Sequence, residues 1–199
     1  MKILGAIIAG GRSTRMGGRE KSLLVLDNVT LIERVLSRLR FQCDDVIINA
    51  NGEQSRFGHF GSAIIADSLP DPSSPLWGLH AALDYGNMLG FDAVATTPVD
   101  APFLPLDLVQ RLTEAGEVTG AAIARSGAQN HHLTGLWTTA LAKPLENLIL
   151  DQGFKRVQDF ATKAKAEIVQ WSDMPHDPFF NINTPEDLNL ATRIAKGEA

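Results

Sequence analysis

The chain has 199 residues, is 44% hydrophobic and 21% charged, and carries a formal net charge of −5. This suits one compact domain over 1–199 and argues against a general nucleic-acid surface, which would need a basic excess. A single cysteine, Cys43, excludes an internal disulfide or a thiolate metal cluster, and the first apolar run stops at Gly10-Gly11, too short for a membrane span; the expectation is a cytoplasmic protein without membrane contact.

Ile3 to Ala9 reads as a strand buried on both faces. It runs into a glycine-rich loop, residues 7 to 22, in which Gly10, Gly11, Gly17 and Gly18 admit phosphate oxygens where a Cβ would clash. Arg12, Arg15, Arg19 and Lys21 place four cations there on an otherwise acidic chain, a pattern for a small anionic ligand. Thr30 then caps a helix whose apolar face is Leu31, Ile32, Val35, Leu36 and Leu39. Strands follow at Val46 to Ala50 and Ser62 to Ala66, ending near Asn49 and Asp67. A proline-rich loop through Pro70, Pro72 and Pro75 precedes a helical face of Leu79, Ala82 and Leu83. A fourth strand, Ala93 to Thr97, closes on Pro98-Val99-Asp100-Ala101-Pro102, and a helix is expected from about Pro105 to Ala115. Beyond it, strands are expected at Ala121 to Ala124, Leu133 to Thr138 and Ala166 to Val169, with helices at Leu141 to Leu150, Phe154 to Ala164 and Pro185 to Lys196.

Alternating strands and helices predict a Rossmann-like three-layer α/β/α fold, with a mainly parallel sheet and helices on both faces. Ligands in such sheets sit beyond the carboxyl ends of the strands, where the glycine loop, Asn49, Asp67 and Asp100 all fall. The loop matches neither Gly-x-x-x-x-Gly-Lys-Ser/Thr nor Gly-x-Gly-x-x-Gly, so two common phosphate cradles are excluded.

The string Ala9-Gly10-Gly11, Arg15-Met16-Gly17 and Lys21 instead resembles the signature of nucleotidyltransferases that join a nucleoside triphosphate to a phosphorylated acceptor. Asn49, Asp67 with Pro75-Leu76-Trp77-Gly78, Pro98 to Phe103, and Asn181-Ile182-Asn183-Thr184-Pro185-Glu186 extend the likeness nearly end to end, to the molybdenum cofactor guanylyltransferases, the MobA-like family. The resemblance implies transfer of GMP from GTP to molybdopterin with release of pyrophosphate, Mg²⁺ as cofactor, and transient contacts with cofactor-biosynthesis proteins and recipient molybdoenzymes. It assigns Arg15 and Lys21 to the triphosphate, Asp100 to the metal, and Ile8, Ala9, Gly10, Gly11, Asn49 and Asp67 to the nucleotide. Gly78, His131, Asn181 and Asn183 go to the acceptor.

Plainer readings stand beside these roles. Arg15 and Lys21 also read as a solvated basic loop, Asp100 as a turn cap before Pro102, and Asn49 and Asp67 as loop caps. Thr184 and Pro185 are accounted for by a helix start; Asn181 and Asn183, flanking Ile182 in a strand-like stretch, put two amides on one side. His131 and His132, adjacent on a strand, would face oppositely and form no zinc site. Ser74, Trp77, Gly52 and His132 depart from the family pattern, and Trp77 reads equally as a core aromatic. In the family Gly10-Gly11 goes with guanine. The alternatives are a cytidylyltransferase, transfer to another phosphorylated acceptor, and a non-catalytic nucleotide or cofactor binder.

Overall fold

The structure, a computed structural model, describes residues 1–9, 21–68 and 74–198. Gly10, Gly11 and Arg15 of the glycine loop, and Pro70 and Pro72 of the proline loop, lie outside those residues. The described elements are strands β1 (Ile3–Ile8), β2 (Val25–Leu26), β3 (Val29–Thr30), β4 (Asp45–Asn49), β5 (Ala63–Ile65), β6 (Ala93–Pro98), β7 (Ala121–Ser126), β8 (Gln129–Thr138) and β9 (Glu167–Trp171), with helices α1 (Leu31–Arg40), α2 (Pro75–Met88), α3 (Leu108–Gly116), α4 (Ala142–Gln152), α5 (Val157–Lys163) and α6 (Pro185–Ala195). Seven strands form the main sheet in the order β5-β4-β1-β6-β8-β7-β9, and β2 and β3 make a separate hairpin.

All six residues of β1 are buried, and their alternation builds the three layers. Ile3 and Ile7 face α1 and α3, packing with Val35, Leu39, Leu108 and Leu112. Leu4, Ala6 and Ile8 face the opposite layer of α2, α4 and α5, packing with Leu79, Leu83, Leu145 and Phe160. Each fully buried Leu or Ile contributes about 1.5–3 kcal/mol, so a strand at the centre of both clusters anchors the sheet. Trp77 belongs to the α2 layer and is 9% exposed, which makes it a core aromatic.

The sheet is mostly parallel, as expected, but β8 runs antiparallel to both β6 and β7. β7 and β8 are joined by a tight turn at Gly127, whose φ is +49°, so no crossover helix intervenes and the chain must reverse. β8 also begins earlier than its apolar run, at Gln129, because its first residues pair with β7 through Ser126↔Gln129 and Ala124↔His131. α3 starts at Leu108 rather than Pro105; the N–H of Val109 is capped by Gln42 Oε1 at 3.0 Å, which sets the helix start by a contact remote in sequence. Asn181 and Asn183 lie in no strand, although Ile182 between them is fully buried against Leu26, Leu31 and Ala191.

Thr30 and Thr184 cap where the sequence puts them, each forming a capping box, with Glu33 and Asp187; Ser74, which the sequence reading did not assign as a cap, accepts from the N–H of Leu76 at 3.1 Å to start α2. No helix among the described residues is long and apolar enough to cross a membrane.

Candidate active site

The chain leaves β1 toward β4 on one side and leaves β6 toward β7 on the other, so the gap between β1 and β6 is the topological switch point at which open α/β sheets take ligands. Three groups of polar side chains gather at this end of the sheet.

The first is built on Lys21, which lies near the end of the glycine loop and opens a short 3-10 turn. Its Nζ pairs with Asp100 Oδ2, beyond β6, and donates to Asn183 Oδ1 at 2.8 Å, just before α6. The Lys21 and Asp100 side chains are only 18% and 17% exposed. The Asp100 carbonyl accepts the N–H of Ile182 at 3.0 Å, which ties β6's loop to the segment carrying Asn183. Asp100 thus spends one carboxylate oxygen on a cation across the sheet end, and its Oδ1 is buried without a donor among the described residues.

The second group caps β4 and β5. Asn49 is fully buried, and its Nδ2 donates to Asp67 Oδ1 at 3.0 Å and more distantly to the Ile65 carbonyl. Asn51 Nδ2 holds the other carboxylate oxygen at 2.7 Å, while Asn51 Oδ1 accepts the N–H of Asp67 at 3.0 Å. The sequence reading missed Asn51; its spacing of two from Asn49 at the end of a strand was the available signal. Gly78 lies in α2 beneath this bracket, where an added Cβ would sit 2.3 Å from Asn49 Oδ1. The N–H of Ala9 donates to the Asn49 carbonyl at 2.9 Å, so Ile8 and Ala9 run between the two groups. With strands about 4.8 Å apart, the ends of β4 and β6 are roughly 10 Å apart across β1.

The third group lines a cavity of about 260 Å³ that includes Asp100, Asn130, His131, His132, Thr134 and Asn181. A register break makes room for it: Ile123 pairs with Gly135 but Ala124 pairs with His131, so His132, Leu133 and Thr134 bulge from β8. Thr96 holds the bulge by donating to the Leu133 carbonyl at 2.8 Å. His131 is buried, shares a 2.7 Å hydrogen bond between its Nε2 and Ser126 Oγ, and lies against Phe179. Burial pushes its pKa down, against the charge of Asp177. Asn181 meets His131 and Asp100 at this cavity, whereas Asn183 turns to Lys21 and Gly78 is absent from the lining.

A divalent cation fits this donor set in one particular way. Among the described residues no three His, Cys, Asp or Glu side chains gather to cage a metal, yet Asp100 offers a hard oxygen with no donor of its own. Mg²⁺ commonly takes one or two carboxylates and completes its shell with phosphates and water. The arrangement therefore combines a cation for phosphate, one carboxylate for a phosphate-borne metal, and an amide-braced carboxylate suited to sugar hydroxyls.

Comparison with known proteins gives the family and the fold. Residues 5–167 match the MobA-like NTP transferase domain. A protein of Nitrobacter hamburgensis named molybdenum cofactor guanylyltransferase is 40% identical over 195 residues, covering 96% of this chain and 93% of that one. One of Cereibacter sphaeroides with the same name is 39% identical over the whole of both chains. The crystal structure of molybdopterin-guanine dinucleotide biosynthesis protein A from Archaeoglobus fulgidus superposes with a TM-score of 0.74 at 25% identity, covering 98% of this chain and 99% of that one.

Proposed function

Because the chain belongs to the MobA-like NTP transferase domain family, we propose that it transfers GMP from GTP to a molybdopterin-type molybdenum cofactor, forming the guanine dinucleotide and releasing pyrophosphate. The observation that carries the reading is Lys21, paired with Asp100 and hydrogen-bonded to Asn183 at the switch point between β1 and β6. An ammonium at that place meets the triphosphate of a nucleotide lying across the sheet end.

A terminal phosphate oxygen of the acceptor attacks the α-phosphorus of GTP; the new P–O bond forms as the bond to the bridging oxygen breaks, and pyrophosphate leaves with the electron pair. The acceptor oxygen is already ionised, so no side-chain nucleophile is needed, and the chain's task is to position and neutralise. Lys21, with Arg15, binds triphosphate oxygens and offsets charge on the leaving pyrophosphate. Asn49 and Asp67 hold the nucleoside, with Asn51 keeping Asp67 in place, and Ile8, Ala9, Gly10 and Gly11 lie against the base. His131 and Asn181 serve the acceptor at the β8 bulge, and Gly78 contributes by letting α2 approach Asn49. Members of this family generally use a divalent metal; Asp100 would hold it, as Mg²⁺, and the ion would supply positive charge to offset what develops on the phosphates. Contacts with cofactor-biosynthesis proteins and recipient molybdoenzymes follow as transient ones.

The test is pyrophosphate release with Mg²⁺, molybdate-loaded molybdopterin and each of GTP, CTP, ATP and UTP. Release is expected with GTP, and Lys21→Ala or Asp100→Asn should lower it by about 10²-fold or more in a folded chain. Release with CTP alone would move the reading to a cytidylyltransferase. Nucleotide binding without release for any acceptor would make the protein a binder.

A further inference from the structure

We propose that Asn183 works on the nucleotide half of the reaction, as the residue that positions Lys21, rather than as a grip on the acceptor. The inference rests on the reading of Lys21 as a triphosphate ligand. Asn181 and Asn183, only two positions apart, have different surroundings: Asn181 lines the cavity with His131, while the side-chain oxygen of Asn183 is 2.8 Å from Lys21 Nζ.

An ammonium has three N–H donors. Asp100 Oδ2 takes one and Asn183 Oδ1 another, so the direction of the third is fixed and the long, rotamer-rich lysine stem is held in one geometry. Asn183 is itself held from both sides. Its backbone N–H donates to Asp187 Oδ2 at 2.8 Å, the same oxygen that receives the N–H of Thr184 in the α6 capping box. On the other side Ile182 is fully buried and hydrogen-bonded to the Asp100 carbonyl. The cap of α6 and the end of β6 therefore locate Asn183, and Asn183 locates Lys21.

The choice of amide matters. Asp100 already offsets part of the lysine charge, and a second carboxylate would cancel the remainder and repel phosphate. An amide oxygen accepts the hydrogen bond and leaves the charge available. Asparagine thus orients the ammonium without neutralising it, which separates this role from one of simple packing.

The experiment is calorimetric titration of the full chain with GTP and Mg²⁺ in the absence of acceptor. Asn183→Ala should weaken GTP roughly five- to tenfold, the loss of one partly exposed hydrogen bond to a charged group. Asn183→Asp should weaken it further although its hydrogen bond to Lys21 is stronger. Lys21→Met combined with Asn183→Ala should bind no more weakly than Lys21→Met alone, because Asn183 acts through the lysine. Val118→Ala, at an exposed residue outside the site, measured beside them, should stay within about twofold of wild type, a difference of about 0.4 kcal/mol. The proposal is overturned if Asn183→Ala binds GTP like wild type while the KM for acceptor rises, if Asn183→Asp binds GTP as tightly as wild type, or if the two losses multiply in the double variant. Wild-type protein that fails to bind GTP at all would instead overturn the parent reading, and melting curves separate any of these from unfolding.

Discussion

Replacing Gly78 by alanine tests whether α2 is close-packed against the nucleotide side of the sheet. The new Cβ would lie 2.3 Å from Asn49 Oδ1 and 3.1 Å from both Asn49 Cγ and Ile8 Cγ2. Carbon and oxygen normally approach no closer than about 3.3 Å, so something must move by roughly 1 Å. Asn49 has little freedom to do so, since its Nδ2 is bonded to Asp67 Oδ1 and it is fully buried. If α2 shifts instead, overpacking costs about 1–3 kcal/mol. If Asn49 rotates, its hydrogen bond to the Asp67 carboxylate is lost, at about 1.5–3 kcal/mol. Alanine returns about 1 kcal/mol of helix propensity. The net loss is therefore at most about 2 kcal/mol and, where Asn49 rotates, at least about 0.5 kcal/mol, or a melting temperature lower by roughly 1–8 °C for a chain of this size. Differential scanning calorimetry measures the shift, and GTP titration should show about tenfold weaker binding as Asn49 and Asp67 leave register. Gly58→Ala, where an added Cβ meets nothing within 4 Å, is the control. Asn49→Ser removes the obstructing amide, so the cost of Gly78→Ala should fall by about 1 kcal/mol or more in that background. Unchanged melting, or strict additivity of the two substitutions, would refute the reasoning.

Other outcomes follow from single contacts. Thr96→Val removes the hydroxyl that donates to Leu133 O at 2.8 Å and accepts Trp137 Nε1 at 3.0 Å; urea unfolding should show a loss of about 1–3 kcal/mol, with the β8 bulge loosened. Burial lowers the pKa of both His80 and His131 below the ordinary 6.5, so below about that pH the unfolded chain binds more protons than the native one and stability falls. Melting temperatures taken downward from about pH 7.5 should decline as that value is crossed, and less steeply in a His80→Asn, His131→Asn double variant; equal slopes would refute the assignment. Burial, with the charge of Asp44, pushes the Cys43 thiol up to about 12, so iodoacetamide at about pH 8 should label it only after unfolding in urea, as read by mass spectrometry.

Much of this protein is determined locally, and those parts were legible in the sequence. The buried apolar run Ile3–Ile8, the capping residues Thr30 and Thr184, and the amphipathic face of α1 depend on near neighbours in the chain, so periodicity and cap chemistry specify them. The same holds for the polar ends of β4, β5 and β6, which put Asn49, Asp67 and Asp100 at the carboxyl end of a mostly parallel sheet. What the tertiary structure alone decided are partnerships between residues far apart in the chain. Lys21 meets Asp100 across 79 positions and Asn183 across 162, and no local pattern distinguishes that Asn183 from Asn181. Gln42 sets the start of α3, 67 residues on. The reversal of β8 and its bulge likewise depend on pairing with β6 and β7, so the strand's apolar run gave its presence but not its direction. Side-chain charge and spacing prescribe what a segment can bind; only folding, by closing those long loops over one core, selects which partner it finds.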